Sequence, residues 1–431
     1  MKIFINSLGC PKNTVDTELM IGYLKSFNDI TTVKHMENAE IILINTCGFI
    51  TPAKEESIDA IMEAIEAKKE NPNIKIVVAG CLYERYKLEL QRELPEVDHF
   101  IGVYELKNIT KVLLHKEFNH QKPYLLREII TPKHIGYLKI AEGCSNGCSF
   151  CAIPLIKGGF KSRNEDEIIE EAKNLTEKGV KELYIIAQDT TAYMFDKGIK
   201  NALSELLFKL EDIDNLKWIR LMYTYPSNIT DELIEFISSS KKTLNYIDVP
   251  LQHISNNVLK SMNRQYTEKN AIELINKLKE NNITIRSTFI VGYPNETEED
   301  FQKLCNFIET YELDWVGFFK YYHEENTQAF KLEDLDDDTK TERLNIIENI
   351  QREIYEKKHS RFIGKEFEVI IDKLSDELPQ YFETRMKRSA YEIDGIVFLE
   401  QNKKIKPGDI VKIKIDNMIN NTDFVASLVK T

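Results

Sequence analysis

The sequence predicts an α/β protein made of three parts. These are an N-terminal parallel α/β sheet domain, a central β/α barrel that is partial or complete and TIM-like, and a small C-terminal antiparallel β-barrel. Two observations predict this class. β-rich runs alternate with helical stretches over most of the chain, as in parallel α/β structures. After Gly364 the pattern changes to short alternating strands, which is typical of a small barrel. A length of 431 residues fits about three such domains.

The N-terminal part, residues 1–118, repeats one unit three times. Each unit is a β-rich run that leads to a cysteine ("KIFINSLGC", "EIILINTCG" and "IKIVVAGCL"), followed by a helical stretch at 16–27, 51–70 or 83–94. Alternation of this kind predicts parallel strands joined by right-handed crossovers. Residues 119–136 contain two prolines and little periodicity, and we interpret them as an inter-domain linker.

The central part, residues 130–361, again alternates strands and helices and ends in a long charged helix at 336–361. Its functional residues are expected at the carboxyl ends of its strands. The C-terminal part, residues 364–431, contains the strand-like segments "EFEVIID", "EIDGIVFL", "DIVKIKID" and "DFVASLVK". The central strands are predicted at 137–141, 182–187, 218–223, 246–250, 284–291 and 315–321.

The overall composition narrows the possible partners. The net charge of −13 disfavours a general attraction to nucleic acid, which leaves only a local basic patch for such contact. Residues 361–431 hold equal numbers of basic and acidic side chains. No apolar run approaches the ~18–20 residues of a membrane helix, and the N-terminus lacks the pattern of a signal peptide. We therefore expect a cytoplasmic protein without a membrane partner.

The seven cysteines carry the clearest chemical signal, because grouped cysteines in the cytoplasm indicate metal binding or catalysis. Cys10, Cys47 and Cys81, the first triplet, each follow a strand, so a parallel sheet would bring them to the edge where such sheets bind ligands. Three thiolates suit an iron–sulfur cluster with one open iron. The alternative is that they are small buried residues at strand ends. Cys305 lies in an amphipathic helical pattern and is expected in the core.

The second triplet is tighter. In "EGCSNGCSFCAIP", Cys144, Cys148 and Cys151 form a CxxxCxxC spacing directly after the first central strand. Three thiolates so close in sequence can bind three corners of a cubane cluster. A zinc site is the alternative, but it usually needs a fourth Cys or His, for which His134 is the candidate.

This spacing after the first strand of a β/α barrel resembles the radical S-adenosylmethionine superfamily. Together with the first triplet and a C-terminal barrel that is TRAM-like, it resembles the methylthiotransferase family over nearly the whole chain. The resemblance implies two 4Fe-4S clusters, an auxiliary one bound by the first triplet and a radical one bound by the second. It also implies that one S-adenosylmethionine supplies a methyl group and that another supplies a 5′-deoxyadenosyl radical.

Within that family, "SLGCPKNTVDTE" and "NTCGFITPAKEES" resemble the RimO branch, which modifies the β-carbon of an aspartate in the small-subunit ribosomal protein of the decoding centre. One alternative is the MiaB-like branch, which acts on tRNA and tends to show a "GCQMN"-type first motif. Another is a non-catalytic iron–sulfur or zinc module that docks on ribosomes. The resemblance further implies an electron donor such as flavodoxin or ferredoxin and leaves the sulfur donor open. RNA contact is compatible with a TRAM-like barrel, but RNA is not the predicted substrate.

Several residues outside the triplets match family motifs around S-adenosylmethionine. The resemblance implies that polar groups at strand ends hold the ribose and the methionine, and that a glycine admits the adenine. The alternative for each is a capping or loop-ordering role. These residues are Gln188 and Asp189 in "IIAQDTTAY", Gln252, His253 and Arg264 in "VPLQHISNNVLKSMNRQY", Gly292 in "TFIVGYPNET", and Phe150, which is expected to pack against cofactor or core.

Overall fold

The structure is a computed structural model that describes residues 1–27 and 29–429. It contains a five-stranded sheet, a six-stranded sheet and a closed five-stranded barrel, in chain order. Within the described residues, no helix combines the length and the apolar character needed to cross a membrane.

The N-terminal region forms a parallel sheet in which the three cysteine-terminated strands are neighbours. Its strands are β1 (Lys2–Ser7), β2 (Thr31–Val33), β3 (Ile41–Thr46), β4 (Lys75–Gly80) and β5 (His99–Ile101). They lie in the order β2-β1-β3-β4-β5, and every pair is parallel. β3 is buried at every position, which explains its uninterrupted apolar sequence. The short strands β2 and β5 at the two edges were not predicted.

The helices that follow these strands depart from the prediction in two places. They are α1 (Pro11–Lys25), α2 (Thr51–Glu70), α3 (Cys81–Arg85), α4 (Lys87–Glu93) and α5 (Asn108–Leu114). α1 begins earlier than predicted, since Pro11 at its first position suits a helix start. The stretch at 83–94 is two helices rather than one, because Tyr86 leaves the helical region at φ −128 and ψ 36.

The central region is an open parallel sheet of six strands, an incomplete barrel. Its main strands are β6 (Ile135–Lys139), β9 (Glu182–Ile186), β10 (Trp218–Leu221), β11 (Thr243–Asp248), β12 (Thr284–Val291) and β13 (Trp315–Lys320). They lie in the order β13-β12-β11-β10-β9-β6, and all six predicted strands are present within a few residues. A small antiparallel pair, β7 (Ala141–Glu142) and β8 (Lys161–Ser162), closes the base of the loop that carries the second triplet.

The helices of the central region cover one face of the sheet and bury an apolar core against it. The long charged helix predicted at 336–361 is present as the last of these helices, α13 (Asp337–His359). The helices are α6 (Ile153–Lys157), α7 (Glu165–Glu177), α8 (Ala202–Glu211), α9 (Asp231–Ser239), α10 (Asn256–Ser261), α11 (Glu268–Glu280), α12 (Glu298–Tyr311) and α13 (Asp337–His359).

The C-terminal region is a closed barrel of five strands. They are β14 (Glu366–Leu374), β15 (Tyr381–Met386), β16 (Val397–Glu400), β17 (Ile410–Met418) and β18 (Phe424–Leu428). Four of the strand pairs are antiparallel as predicted, and β16 pairs with β18 in parallel. β15 was not predicted from the sequence.

All three regions contribute to one apolar cluster on the face of the central sheet opposite its helices. Val15 of α1 and Ile370 of β14 pack there with Tyr137 and Tyr246 from the sheet. The segment interpreted as a linker is also packed. Arg127 is fully buried within it and donates to Glu18 of α1 and Glu171 of α7, both at 2.6 Å. The three regions are therefore held in a fixed arrangement.

Candidate functional site

The first triplet lies at one edge of the N-terminal sheet, as predicted. Cys10 is the N-cap of α1, Cys47 directly follows β3, and Cys81 begins α3 after β4. Because β1, β3 and β4 are adjacent and parallel, their carboxyl ends place the three cysteines on the same side. Gly9, with φ +87, allows this closeness, since a Cβ there would lie 2.8 Å from Cys47 Cβ and 3.1 Å from its Sγ.

The second triplet lies on the loop between β7 and β8. The loop is folded back on itself, since the amide of Cys144 donates to the carbonyl of Gly158 at 3.1 Å. Two N–H donors point at its sulfur atoms. The amide of Ile153 lies 3.4 Å from Cys151 Sγ, and Arg264 Nη1 lies 3.4 Å from Cys148 Sγ. Donors of this kind stabilise thiolates that bind metal.

Cys47 and Cys81 are buried, and the other four cysteines of the two triplets are partly exposed. Burial raises the pKa of Cys47 to about 11, that of Cys144 to about 11 and that of Cys151 to about 12. Hydrogen bonds from backbone amides oppose this effect at each of the three, as a loop built to hold a thiolate requires. Metal binding at these sites would therefore displace protons. Cys305 is 2% exposed within the apolar core, as predicted.

A zinc ion at either triplet would need a fourth ligand. Among the described residues, no three His, Cys, Asp or Glu side chains form a group that could hold one metal ion. His134, the candidate fourth zinc ligand, instead shares a hydrogen bond of 2.9 Å with Asp372 of the C-terminal barrel. A cubane cluster would attach each of three thiolates to a different iron atom and needs no fourth protein ligand.

Gln188 and Asp189, the predicted S-adenosylmethionine residues that follow β9, are hydrogen-bonded to neighbouring polar side chains. Asp189 is buried, and its carboxylate accepts hydrogen bonds from Asn146 in the second-triplet loop at 2.8 Å and from Asn228 at 3.1 Å. It also caps the short helical turn that follows it. Gln188 donates to Glu142 at 2.8 Å, while its Oε1 is buried without a hydrogen-bond partner among the described residues. Of the side-chain atoms of Gln188 and Asp189, this oxygen is the one that is available to a ligand.

Of the remaining predicted residues, only Arg264 contacts a cysteine of the second triplet through its side chain. Its guanidinium stacks over Tyr225, 4.3 Å from the ring centroid, and Nη2 donates to the carbonyl of Pro250 at 2.7 Å. Gln252 is held at φ +67 by backbone hydrogen bonds to the neighbouring strand β12. Phe150 packs beside Tyr293 and Met262.

Gly292 and His253 face structural partners. A Cβ at Gly292 would lie 2.4 Å from Lys340 Cγ, so its open side is occupied by α13. Its amide donates to Glu296 at 3.0 Å. His253 is fully buried, with Nε2 3.4 Å from the same carboxylate of Glu296. Whether any of these residues contacts S-adenosylmethionine remains a prediction.

The sequence reasoning missed a buried lysine between the two triplets. Lys12, two residues after Cys10, is 7% exposed. Its Nζ lies 3.3 Å from the ring centroid of Tyr223 and 3.5 Å from the carbonyl oxygen of Ala187, at the carboxyl end of β9. The only signal in the sequence is a basic residue in the first turn of a helix, where the helix dipole disfavours positive charge.

Charged residues also join the first triplet's helix to the base of the second triplet's loop. Asp16 of α1 accepts from Lys139 at 2.6 Å and from Lys157 at 3.1 Å. Lys139 also donates to Glu142, at 2.7 Å. Burial raises the pKa of Glu142, but the charges of Lys139 and Lys157 outweigh it and lower the pKa to about 2. These pairs fix the two cysteine-bearing edges relative to each other.

A cavity of about 250 Å³ reaches this junction from the C-terminal barrel. All three regions line it, so a ligand there would contact each of them. The lining residues are Gly9, Pro11 and Thr14 from the N-terminal region, Tyr137, Tyr184, Ile186, Met222 and Tyr223 from the central region, and Tyr391, Glu392 and Ile393 from the barrel.

Family models match each of the three regions. The radical SAM superfamily model matches residues 138–308, and the TRAM domain model matches residues 363–429. The model of an uncharacterized protein family, UPF0004, matches residues 2–102. The central match covers both the second triplet and the main strands of the open barrel.

Full-length relatives decide the family. The chain is 47% identical to the ribosomal protein uS12 methylthiotransferase RimO of Sulfurihydrogenibium sp. over 99% of this chain and 98% of the relative. It is 45% identical to RimO of Aquifex aeolicus over 96% and 94%. The chain belongs to the RimO family. RimO of Clostridioides difficile is also similar, at 42% identity over 97% of this chain and 96% of that protein. These RimO relatives favour the protein-modifying branch over the tRNA-modifying branch.

Solved structures support the fold expected of a RimO protein. The radical S-adenosylmethionine methyltransferase TsrM from Kitasatospora setae superposes with a TM-score of 0.54 at 13% identity, over 74% of this chain and 72% of TsrM. A second TsrM structure holds a [4Fe-4S] cluster. The radical enzyme OxsB with bound S-adenosylmethionine superposes with a TM-score of 0.53 at 12% identity, over 81% of this chain and 56% of OxsB. At these identities the likeness concerns the fold alone.

Proposed function

We propose that this chain is a radical S-adenosylmethionine methylthiotransferase that adds a methylthio group to the β-carbon of an aspartate in ribosomal protein uS12. One observation carries the proposal. Two cysteine triplets lie at the carboxyl ends of two parallel sheets, joined by the ion pairs of Asp16. The relatives named ribosomal protein uS12 methylthiotransferase RimO support the choice of substrate.

We assign an auxiliary 4Fe-4S cluster to the first triplet and a radical 4Fe-4S cluster to the second. When bound, S-adenosylmethionine and the reduced radical cluster would supply a 5′-deoxyadenosyl radical, and the auxiliary cluster would hold the sulfur that is transferred, whose donor stays open. An aliphatic C–H bond has no acidic proton, so a general base could not open it. That requirement explains why an enzyme of this specificity would carry thiol triplets rather than an acid–base pair.

The protein's own side chains would hold and shield these groups. Arg264 donates toward Cys148, and the amide of Ile153 donates toward Cys151, so both would stabilise thiolate charge. Asp189 fixes the loop of the second triplet through Asn146. Cys47 and Cys81 are buried, which would limit the access of water to a cluster held by the first triplet.

The three regions have distinct roles in this proposal. Residues 1–118 would hold the auxiliary cluster, residues 130–361 the radical chemistry, and residues 364–431 would guide the ribosomal protein toward the shared cavity. An electron donor such as flavodoxin or ferredoxin would reduce the radical cluster. With a ribosomal protein as substrate, the reaction would take place in the cytoplasm. The negative net charge favours encounter with a basic ribosomal protein over RNA phosphates.

The proposal is tested by anaerobic incubation of the reconstituted enzyme with uS12 and, separately, with tRNA, in the presence of dithionite and S-adenosylmethionine. Mass spectrometry of each substrate then shows which one gains a methylthio group in place of a hydrogen. We expect the gain on an aspartate of uS12. Modification of tRNA alone would reject the substrate assignment while leaving the radical chemistry in place.

A second measurement separates an enzyme from a non-catalytic docking module. Iron analysis should find more than one cluster's iron per chain, and the reduced protein should release 5′-deoxyadenosine. A reconstituted chain that binds iron but cleaves no S-adenosylmethionine would reject an enzymatic role. Cys305→Ala is the matched cysteine control, since Cys305 is core and its replacement should change neither result.

A further inference from the structure

Lys12 is a buried amine without a carboxylate partner. It is 7% exposed, and among residues 1–27 and 29–429 no acidic oxygen lies within ion-pair distance of its Nζ. Its contacts are the ring face of Tyr223 at 3.3 Å and a long hydrogen bond of 3.5 Å to the carbonyl of Ala187. Other buried lysines here are paired, such as Lys157 with Asp16 at 3.1 Å. Buried charges are normally paired, so Lys12 is an exception.

The two carboxylates nearest to Lys12 are already paired with other cations. Burial lowers the pKa of Lys12, while the charges of Cys10, Glu142, Asp248 and Cys81 raise it, which places all four around the amine. Glu142 is paired with Lys139 at 2.7 Å. Asp248 is paired with Arg286 at 3.0 Å and accepts the Tyr223 amide at 2.9 Å. Neither carboxylate forms an ion pair with Lys12, whose other two negative neighbours are the thiols of Cys10 and Cys81.

Two local features around Lys12 are energetically unfavourable, one at Lys12 itself and one at Tyr223. A lysine in the first turn of α1 opposes the helix dipole, so local stability does not account for it. Tyr223, which supports the amine, has φ +57, a conformation that is unfavourable for a bulky residue. Departures of this kind occur where function requires them.

We propose that Lys12 binds the side-chain carboxylate of the substrate aspartate and so selects the residue to be modified. This inference rests on the proposed function. Its geometry follows from position: Lys12 is two residues from Cys10, and its amine contacts the end of β9, directly before Gln188. The β-carbon of an aspartate is bonded to its carboxyl carbon. An aspartate held by Lys12 would therefore place its β-carbon between the first triplet and the second.

The chemistry of the amine favours an aspartate over the alternative nucleic-acid substrate. A carboxylate carries a full negative charge that pairs with an ammonium in a water-poor site. An adenine base is neutral, so the reacting group of a tRNA substrate would lack this charged contact, whatever the RNA phosphates pair with. Lys12 would act through recognition, and no proton or electron transfer is assigned to it.

The test measures binding rather than turnover. Reconstituted, unreduced enzyme is titrated with uS12 and with uS12 in which the target aspartate is replaced by asparagine. The unaltered enzyme should bind the aspartate form about 30-fold more tightly, as expected for a buried charged pair. In Lys12→Met, which keeps the volume of the side chain, that preference should fall to near one. Lys25→Met on the last turn of the same helix, where Lys25 pairs with Glu128 at the surface, should keep it.

The outcomes separate this inference from the function on which it rests. If the unaltered enzyme binds both substrate forms equally, or if Lys12→Met keeps the preference, Lys12 does not read the carboxylate. If the enzyme fails to modify uS12 at all, the proposed function fails instead. Should Lys12→Met lose iron on reconstitution, Lys12→Gln is measured in the same way, and the comparison of the two substrates on unaltered enzyme still decides.

Discussion

The joint between the central sheet and the C-terminal barrel contains a buried ionic network that a single substitution would unbalance. Glu182 of β9 is fully buried and accepts from Arg385 of β15 at 2.6 Å and from Arg220 at 3.0 Å. Arg385 also donates to Asp372 of β14 at 2.6 Å. Burial raises the pKa of Glu182, but the charges of Arg385 and Arg220 outweigh it and lower that pKa. Glu182 is therefore ionised.

Glu182→Gln would leave the buried guanidinium of Arg220 without its carboxylate partner and that of Arg385 with Asp372 alone. Removing one partner of a buried pair costs about 3–5 kcal/mol of unfolding free energy. With a urea slope of about 2 kcal/mol per M, the midpoint should fall by about 1.5–2.5 M. Tryptophan fluorescence reports this joint directly. Both tryptophans of the chain, Trp218 and Trp315, lie in the apolar cluster that the two regions share.

A surface pair on the same barrel is the control. Glu368 pairs with Lys387 at 2.8 Å, and the two side chains are 48% and 51% exposed. Glu368→Gln should cost less than about 1 kcal/mol, and hence shift the midpoint by less than about 0.5 M. A Glu182→Gln shift of the urea midpoint within that range would refute the reasoning.

The same network predicts a pH dependence of stability. Since the pKa values of Glu182 and Asp372 are lowered, their contribution to the free energy of unfolding should be complete above about pH 5 and lost in acid. The loss should be steeper in the parent than in Glu182→Gln.

The remaining predictions concern the cysteines. Cys148→Ala should abolish 5′-deoxyadenosine release under dithionite; release near the parent level would remove Cys148 from the radical-cluster ligands. Cys47→Ala should lower the iron content and lose methylthio transfer yet retain some reductive cleavage, and unchanged iron would place the auxiliary cluster elsewhere. Gly9→Ala should lower the iron held by the first triplet, because the added Cβ would lie 2.8 Å from Cys47 Cβ on a backbone with φ +87. Normal iron loading in Gly9→Ala would contradict the close packing described here.

Two strands that the sequence predicted to within a residue have a regular burial pattern. β9, "ELYII", is buried at every position, and β12, "TIRSTFIV", alternates half-buried and buried positions, as a strand with one covered face does. β15, "YFETRM", was missed. Its buried positions include Thr384 and Arg385, both fully buried, so polar residues stand where alternation would show apolar ones. Their burial depends on partners far away in sequence, such as Glu182, which local patterning does not reveal.

The position of the first triplet at one sheet edge was predictable from the sequence. Its cysteines recur after each strand, and in a parallel sheet the carboxyl ends of the strands lie on the same side. The roles of single polar residues were not predictable. Asp189 stands at a strand end, as a cofactor ligand would, yet its carboxylate holds Asn146 and Asn228. Lys12 looks like an ordinary surface residue of an amphipathic helix. Only the packing of α1 against the central sheet buries it over Tyr223.

The charged contacts between regions are better explained by orientation than by stability. Arg127 joins Glu18 to Glu171 with no exposure to water, and Arg85 joins the N-terminal region to Glu324 at 2.8 Å. Apolar replacements of such pairs are often as stable, because desolvation offsets the attraction. Their hydrogen bonds, however, accept only one relative placement of the two sheets. In the proposed reaction, a carbon atom must meet a radical from one edge and sulfur from the other, and an error of about 1 Å costs about 100-fold in rate. The directional hydrogen bonds and ion pairs at this joint meet that requirement. A purely apolar interface would fix the relative position of the two sheets less precisely.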